Sequence, residues 1–208
     1  MLMMTKLSAL ALVFASVTAS ASSSANAPEH FARPAVTDMP VQSTPSRADV
    51  RAALVKRRAH NLAAFHAYWT GGVYPHNSYR VGPLNVWRDE NGHFCAAATM
   101  IDKDGQHDLA EQTANTNVNI RLLDVTTGPL LDWMLTSGLT IEDIDMIQAP
   151  AVMPQRVDAQ TLATEDAKLE KGYITTAKYL AKHAAEDLDI ATTRLMDHPD
   201  LARSLVAA

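Results

Sequence analysis

Residues 158–196 have the sequence DAQTLATEDAKLEKGYITTAKYLAKHAAEDLDIATTRLM, and this stretch decides the fold class. Its apolar residues recur at steps of three and four, which places them on one stripe of an α-helix. The stripe consists of Ala177, Leu180, Ala184, Leu188, Ala191 and Leu195. We therefore predict one long C-terminal helix from about Asp158 to Met196. Gly172 weakens this helix by about 1 kcal/mol relative to alanine, and Pro199 ends it.

The alanine-rich stripe on this helix allows another helix to approach closely. Two interpretations follow from that property. The stripe packs against the rest of the domain, or it forms a self-association surface between two copies of the chain.

A second long helix is predicted near the start of the folded region. Ser46 is a suitable N-cap residue, and Asp49 stands three residues later as a partial capping box. The apolar periodicity continues to about Trp69, and Gly71 and Gly72 end the helix by supplying left-handed backbone. The basic cluster 56–58 within this helix is interpreted as a solvated face.

The middle of the chain predicts shorter helices. One covers His107–Ala114, and the next runs from Pro129 to Gly138, since proline suits the first turn and glycine the end of a helix. A third begins after Thr140, where a Ser/Thr-x-x-acid pattern marks a helix start, and ends at Pro150.

Residues 84–101 allow two structures. Residues 84–88 favour a short strand, and the turn at 89–92 could return the chain as a second strand over 94–101, giving a short hairpin. We prefer a helix over 94–103, because Ala96, Ala97 and Ala98 are strong helix formers.

Residues 71–92 form an irregular segment that is rich in aromatic residues and broken by proline and glycine. Loops held on a rigid scaffold often carry recognition, so we expect a ligand pocket here. The candidate ligand-binding residues are Tyr74, His76, Tyr79, Arg80 and Trp87. The predicted fold is thus mainly α: a single helical domain over 46–208, with this irregular segment and the long C-terminal helix.

The N-terminal residues indicate export. Lys6 precedes an uncharged apolar run from Leu7 to Val17, and small residues follow, in the order of a secretory signal peptide. The run is shorter than the roughly 20 residues that a membrane-spanning helix needs. We predict a signal peptide over 1–21, cleaved after Ala21, and a periplasmic or extracellular protein without a stable membrane span. Residues 22–45, with four prolines, are predicted to be a disordered linker.

The composition excludes some classes of function. The formal charge of −5 lacks the basic excess of a nucleic-acid binder. The single cysteine, Cys95, cannot form an internal disulfide, so stability must come from packing.

Cys95 is also the first candidate for chemistry. A nucleophilic cysteine needs a nearby base, usually histidine, and His93 or His107 could supply it. The chain has no histidine motif typical of cysteine hydrolases, so a thiol-dependent enzyme is the alternative hypothesis.

Metal binding is the second alternative. His76, His93, Cys95 and His107 are suitable zinc ligands, but their spacing matches no zinc motif. An EF-hand interpretation of 102–113 lacks the required glycine at position six and glutamate at position twelve. We therefore predict no metal site and no cofactor.

Three short patterns occur in order over about residues 75–150: Asp89-x-x-Gly92-x-x-Cys95-Ala96, Gly138-Leu139-Thr140 and Ile147-Gln148. This arrangement resembles uncharacterised exported proteins of Gram-negative bacteria. The resemblance implies kinship and export, and it assigns no catalytic residue.

These observations favour a non-catalytic role. We expect an exported protein that binds a partner protein, a cell-envelope component or a small ligand.

Overall fold

The computed structural model describes residues 44–153 and 158–208. The predicted signal peptide and nearly all of the predicted linker lie outside these ranges. The described chain is mainly α-helical, as predicted. Its helices are α1 (Arg47–Gly71), α2 (Ala96–Lys103), α3 (His107–Thr116), α4 (Pro129–Thr136), α5 (Ile141–Gln148), α6 (Ala159–Met196) and α7 (Pro199–Ala207).

The helix ends follow local chemistry. The Asp49 N–H donates to Ser46 Oγ at 3.1 Å at the start of α1, and Gly72 ends that helix with φ +67°. Thr140 and Asp143 form a reciprocal capping box at the start of α5. These contacts confirm the helix starts and stops that the capping residues predict.

The choice left open at residues 94–101 is resolved in favour of a helix, α2. Strand β1 (Gly82–Leu84) pairs antiparallel with strand β2 (Ala151–Met153), so its partner comes from the other side of α5. The predicted strand over 84–88 was therefore placed too late in the chain. A single antiparallel bridge between Arg88 and Phe94 closes the turn at 89–92.

Two hydrophobic clusters form the core. The larger surrounds Trp87 and Trp133 and includes Phe65 and Tyr173. The smaller contains Val50, Leu54, Leu135, Leu188, Ala191, Leu195 and Ala202. Helices α1 and α6 contribute residues to both clusters and pack against each other along the molecule.

The alanine-rich stripe of α6 therefore packs on its own domain. Leu180, Leu188, Ala191 and Leu195 are buried. Self-association through α6 stays a prediction, and it would have to use another face, such as the one that exposes Tyr179 and Ile190.

The interpretation of 56–58 as a solvated face was wrong for Arg58, which is 4% exposed. Its guanidinium donates to the Gly138 and Leu180 carbonyls at 3.2 and 2.8 Å, and to Asp187 Oδ2 at 3.0 Å. Asp143 Oδ2 accepts a longer bond, at 3.4 Å. Burial of this charge is possible because two carboxylates and two carbonyls surround it.

Among the described helices, none combines the length and the apolar character that a bilayer crossing requires.

Candidate functional site

A cleft of about 480 Å³ lies beside the two-stranded sheet. Its volume falls within the range of small-molecule sites. Three segments meet here: the irregular segment with β1, the loop after α3, and the end of α5. The lining residues are Tyr79, Arg80, Pro83, Leu84, Asn85, Asn119, Arg121 and Pro150.

Asn77 shapes the loop that presents Tyr79 and Arg80. Its side chain is buried, and its Oδ1 accepts hydrogen bonds from the Tyr79 and Arg80 N–H groups at 3.0 and 3.3 Å. Its Nδ2 donates to the carbonyls of Arg80 and Gly82 at 2.9 and 2.8 Å. One asparagine thus uses both ends of its amide to fix one wall of the cleft.

Gln148 fixes the opposite wall. It is 1% exposed, and its Nε2 donates to the Ile120 carbonyl at 2.8 Å. Its Oε1 accepts from the Leu122 N–H at 3.3 Å and from Asn85 Nδ2 at 3.0 Å. Asn119 Nδ2 then donates to the Asn85 carbonyl at 2.9 Å. A buried glutamine and two asparagines thus hold the loop after α3 against the end of β1.

Arg80 and Arg121 supply positive charge to the cleft. Within residues 44–153 and 158–208, neither guanidinium forms an ion pair or a hydrogen bond. The other described arginines all donate to protein oxygens: Arg47, Arg51, Arg57, Arg58, Arg88, Arg194 and Arg203. The two arginines that have no partner among the described residues therefore line one cleft, in a chain whose net charge is negative.

The positive charge of Arg121 affects the pKa of Asp145. Burial raises the pKa of Asp145 above its usual value, and the nearby Asp124 adds to that rise, while Arg121 opposes it. Within the described residues, Arg121 forms no ion pair or hydrogen bond with Asp145, although its charge acts on that carboxylate.

The candidate residues in the irregular segment have different surroundings. Tyr79 and Arg80 are exposed and line the cleft. Tyr74 and Trp87 are core residues: the Tyr74 hydroxyl donates to the Trp69 carbonyl at 2.8 Å, and Trp87 Nε1 donates to the Ala110 carbonyl at 2.9 Å. His76 is half-buried and pairs with Asp166 of α6 at 3.1 Å.

Cys95 is buried and acts as the N-cap of α2. The thiol is 1% exposed, and the Ala98 N–H donates to its Sγ at 3.5 Å. Burial raises the pKa of Cys95 to about 12, although the backbone N–H groups of α2 act in the opposite direction. Such a thiol is almost entirely protonated at neutral pH, and the protonated form is a poor nucleophile.

The two histidines proposed as bases are held by carboxylates. His93 Nδ1 lies 3.2 Å from Asp89 Oδ2, and Asp89 also accepts from the backbone N–H groups of His76, Asn91 and His93. His107 is exposed, and its hydrogen bond with Asp102 raises its pKa. These contacts give both histidines structural partners at loop and helix ends.

A metal site finds no support in the described part of the chain. There, no group of three or more histidine, cysteine or carboxylate side chains is arranged to hold an ion.

Of the eight residues that line the cleft, only Tyr79 and Arg80 were among the candidates predicted from the sequence. The other six are Pro83, Leu84, Asn85, Asn119, Arg121 and Pro150, and Gln148 supports the cleft from behind. The one available signal was the polar loop after α3, in which asparagine alternates with other residues.

Comparison of the chain with protein-family models, with curated proteins and with solved structures gives no match.

Proposed function

We propose that this chain is an exported, non-catalytic binding protein whose cleft takes a small anionic ligand. The observation that carries this proposal is the position of Arg80 and Arg121. Arginine binds carboxylates and phosphates through a planar fork of N–H donors. Two such groups, neither paired within the part of the chain that the structure describes, stand on the walls of one cleft and form a site for negative charge.

The construction of the cleft supports binding. Asn77 and Gln148 hold its two walls by hydrogen bonds from buried side chains. Walls held in place before the ligand arrives reduce the ordering cost of association.

Export rests on the order of the first residues, from Lys6 through the apolar run to Ala21. A single, buried thiol suits an oxidising compartment, because Cys95 is shielded from forming bonds with other chains.

The thiol-enzyme alternative is weaker for physical reasons. A nucleophilic cysteine must present a thiolate to its substrate. Cys95 is enclosed by the core, and its pKa is raised to about 12.

The test begins with mature protein recovered after expression with its leader, whose N-terminal sequence we expect to start at Ser22. Titration calorimetry then uses a panel of anions: inorganic phosphate, citrate, galacturonate and an acidic dipeptide. We expect at least one of them to bind. We also expect Arg80→Gln and Arg121→Gln each to weaken that binding at least tenfold.

Lys178→Gln is the matched control, because it removes one positive charge from an exposed position on α6 that does not line the cleft. It should bind normally, and Cys95→Ser should also keep its affinity. The proposal fails if no anion in the panel binds, or if Lys178→Gln weakens binding as much as the two arginine variants do.

A further inference from the structure

We infer that the ligand of this cleft is a hydroxylated carboxylic acid of the sugar-acid class, in which a ring carries both a carboxylate and several hydroxyl groups. This inference rests on the proposed anion-binding function and specifies the chemistry of its ligand.

Backbone groups fix the orientation of the Gln148 amide behind the cleft. The Leu122 N–H can only donate, so the Gln148 atom that it contacts must be Oε1. The Ile120 carbonyl can only accept, so the atom beside it is Nε2. The backbone groups on either side of the Gln148 amide therefore fix which end carries the oxygen and which the nitrogen.

The orientation of Gln148 in turn fixes the orientation of the Asn85 amide. Because Gln148 presents Oε1 to Asn85, the Asn85 amide must direct its Nδ2 inward, at 3.0 Å. Asn119 faces the Asn85 carbonyl, so it must also use its Nδ2 there, at 2.9 Å. Both asparagines thus donate one hydrogen bond within the protein through Nδ2, and their Oδ1 atoms remain as acceptors.

The two Oδ1 atoms and the two arginines indicate which groups a ligand should carry. Within the described ranges, neither Oδ1 accepts a protein hydrogen bond, and both residues line the cleft. Arg80 and Arg121 favour a ligand with negative charge, while Asn85 and Asn119 offer sites for hydrogen-bond donors. A ligand that has only acceptors, such as sulfate or a simple alkyl carboxylate, pairs with the arginines and makes no hydrogen bond to either Oδ1, whereas a ligand that also carries donors can pair with both.

Hydroxyl groups suit this cleft better than ammonium groups as the hydrogen-bond donors of the ligand. An ammonium group would bring a positive charge towards two guanidinium groups and be repelled. Neutral hydroxyl groups donate without that penalty. Pro83, Leu84 and Pro150 add apolar surface that can lie against the C–H groups of a ring, and the Tyr79 ring, 44% exposed, stands at the same cleft.

The test compares three ring compounds by titration calorimetry on the mature protein. Galacturonate has the carboxylate and the hydroxyls, galactose lacks the charge, and cyclohexanecarboxylate lacks the hydroxyls. We expect galacturonate to bind at least tenfold more tightly than either of the others. If cyclohexanecarboxylate binds as tightly as galacturonate, the sugar-acid inference is overturned while anion binding stands. If galactose binds as tightly, or if none of the three and no other anion binds, the proposed function itself fails.

Asn119→Ala gives a second readout. It removes one acceptor together with the Nδ2 hydrogen bond to the Asn85 carbonyl, so we expect a five- to tenfold loss for galacturonate and a clearly smaller loss for cyclohexanecarboxylate. An equal loss for both compounds would show a purely structural role and contradict the inference. Polygalacturonate identifies the source of the ligand: tighter binding per residue than the monomer indicates an acidic polysaccharide, and equal binding indicates a free sugar acid.

Discussion

Gly138 is the one glycine of this chain at which an added Cβ atom would clash with its surroundings. Its φ is +78°, and a Cβ atom placed on it would lie 2.3 Å from the Leu54 carbonyl oxygen and 2.6 Å from the Arg58 nitrogen. Both contacts are backbone atoms of α1, which cannot move without shifting the helix. The loop between α4 and α5 therefore reaches α1 only because this residue has no side chain.

We predict that Gly138→Ala lowers the free energy of unfolding by at least about 3 kcal/mol, from overpacking together with a strained backbone. Urea unfolding at neutral pH measures this loss. The matched change is Gly172→Ala in α6, where a Cβ meets nothing within 4 Å. That variant should gain about 0.5–1 kcal/mol, because alanine favours a helix interior over glycine. Equal effects of the two substitutions would contradict the close approach of the loop to α1.

At the scale of elements, one exposed ion pair links α5 to α6. Arg194 donates two hydrogen bonds to the Glu142 carboxylate, at 2.7 and 2.8 Å. This pairing lowers the pKa of Glu142 to about 2. Because the folded pKa lies below the unfolded one, the pair stabilises the fold above about pH 4.5, and that contribution disappears as the pH falls towards 2.

Glu142→Gln should therefore cost about 0.5–1 kcal/mol at pH 7, a small value because the two side chains are 58% and 36% exposed. Urea unfolding at pH 7 and pH 3 should show a smaller deficit at the lower pH. The double variant with Arg194→Gln should cost no more than the larger of the two single losses. Additive losses from the two single changes would show that the side chains do not interact.

The elements themselves were predictable where local chemistry decides. Ser46, Thr140 and Gly72 mark helix ends through contacts within a few residues, so the sequence is enough to locate them. Strands β1 and β2 are separated in sequence by four α-helices, α2 to α5, so their pairing depends on tertiary packing. Short strands without an adjacent partner give no periodic signal that identifies such pairing.

The site divides in the same way. Tyr79 and Arg80 lie in an irregular segment whose composition indicates a loop, and loops carry recognition. Arg121 and Asn119 are brought to the same cleft by contacts that are distant in sequence: those of Gln148 span 26 to 63 residues, and that of Asn119 with Asn85 spans 34. Arg58 escaped recognition for the same reason, since its carboxylate partners lie 85 and 129 residues away.

At the scale of the whole molecule, Arg58 joins the two halves of the core. On α1 it lies between Leu54 of the smaller cluster and Phe65 of the larger one, and Asp187 lies likewise between Leu188 and Leu180 on α6. Since α1 and α6 run through both clusters, we expect the domain to unfold in a single cooperative transition.

Arg58→Met tests this junction. The change leaves the buried carboxylates of Asp143 and Asp187 without their cation, so we predict a loss of about 3–5 kcal/mol in the free energy of unfolding at pH 7.5. Burial already raises the pKa of Asp187, with Arg58 opposing the rise, so the variant should raise that pKa further. A raised carboxyl pKa destabilises the fold as the pH rises through it. Urea unfolding should therefore show a smaller deficit at pH 5 than at pH 7.5.

The combination of Arg58→Met with Asp187→Leu keeps the experiment informative if the single variant does not fold. It replaces the Arg58–Asp187 contact with apolar side chains in the gap between the two clusters, and we expect it to recover at least half of the lost stability. A deficit below about 1 kcal/mol, or one independent of pH, would show that the carboxylates are solvated and that Arg58 is not the link between the clusters. If the double variant recovers stability and still unfolds in a single transition, packing of side chains between α1 and α6 contributes more to the stability of the fold than the buried ion pair does.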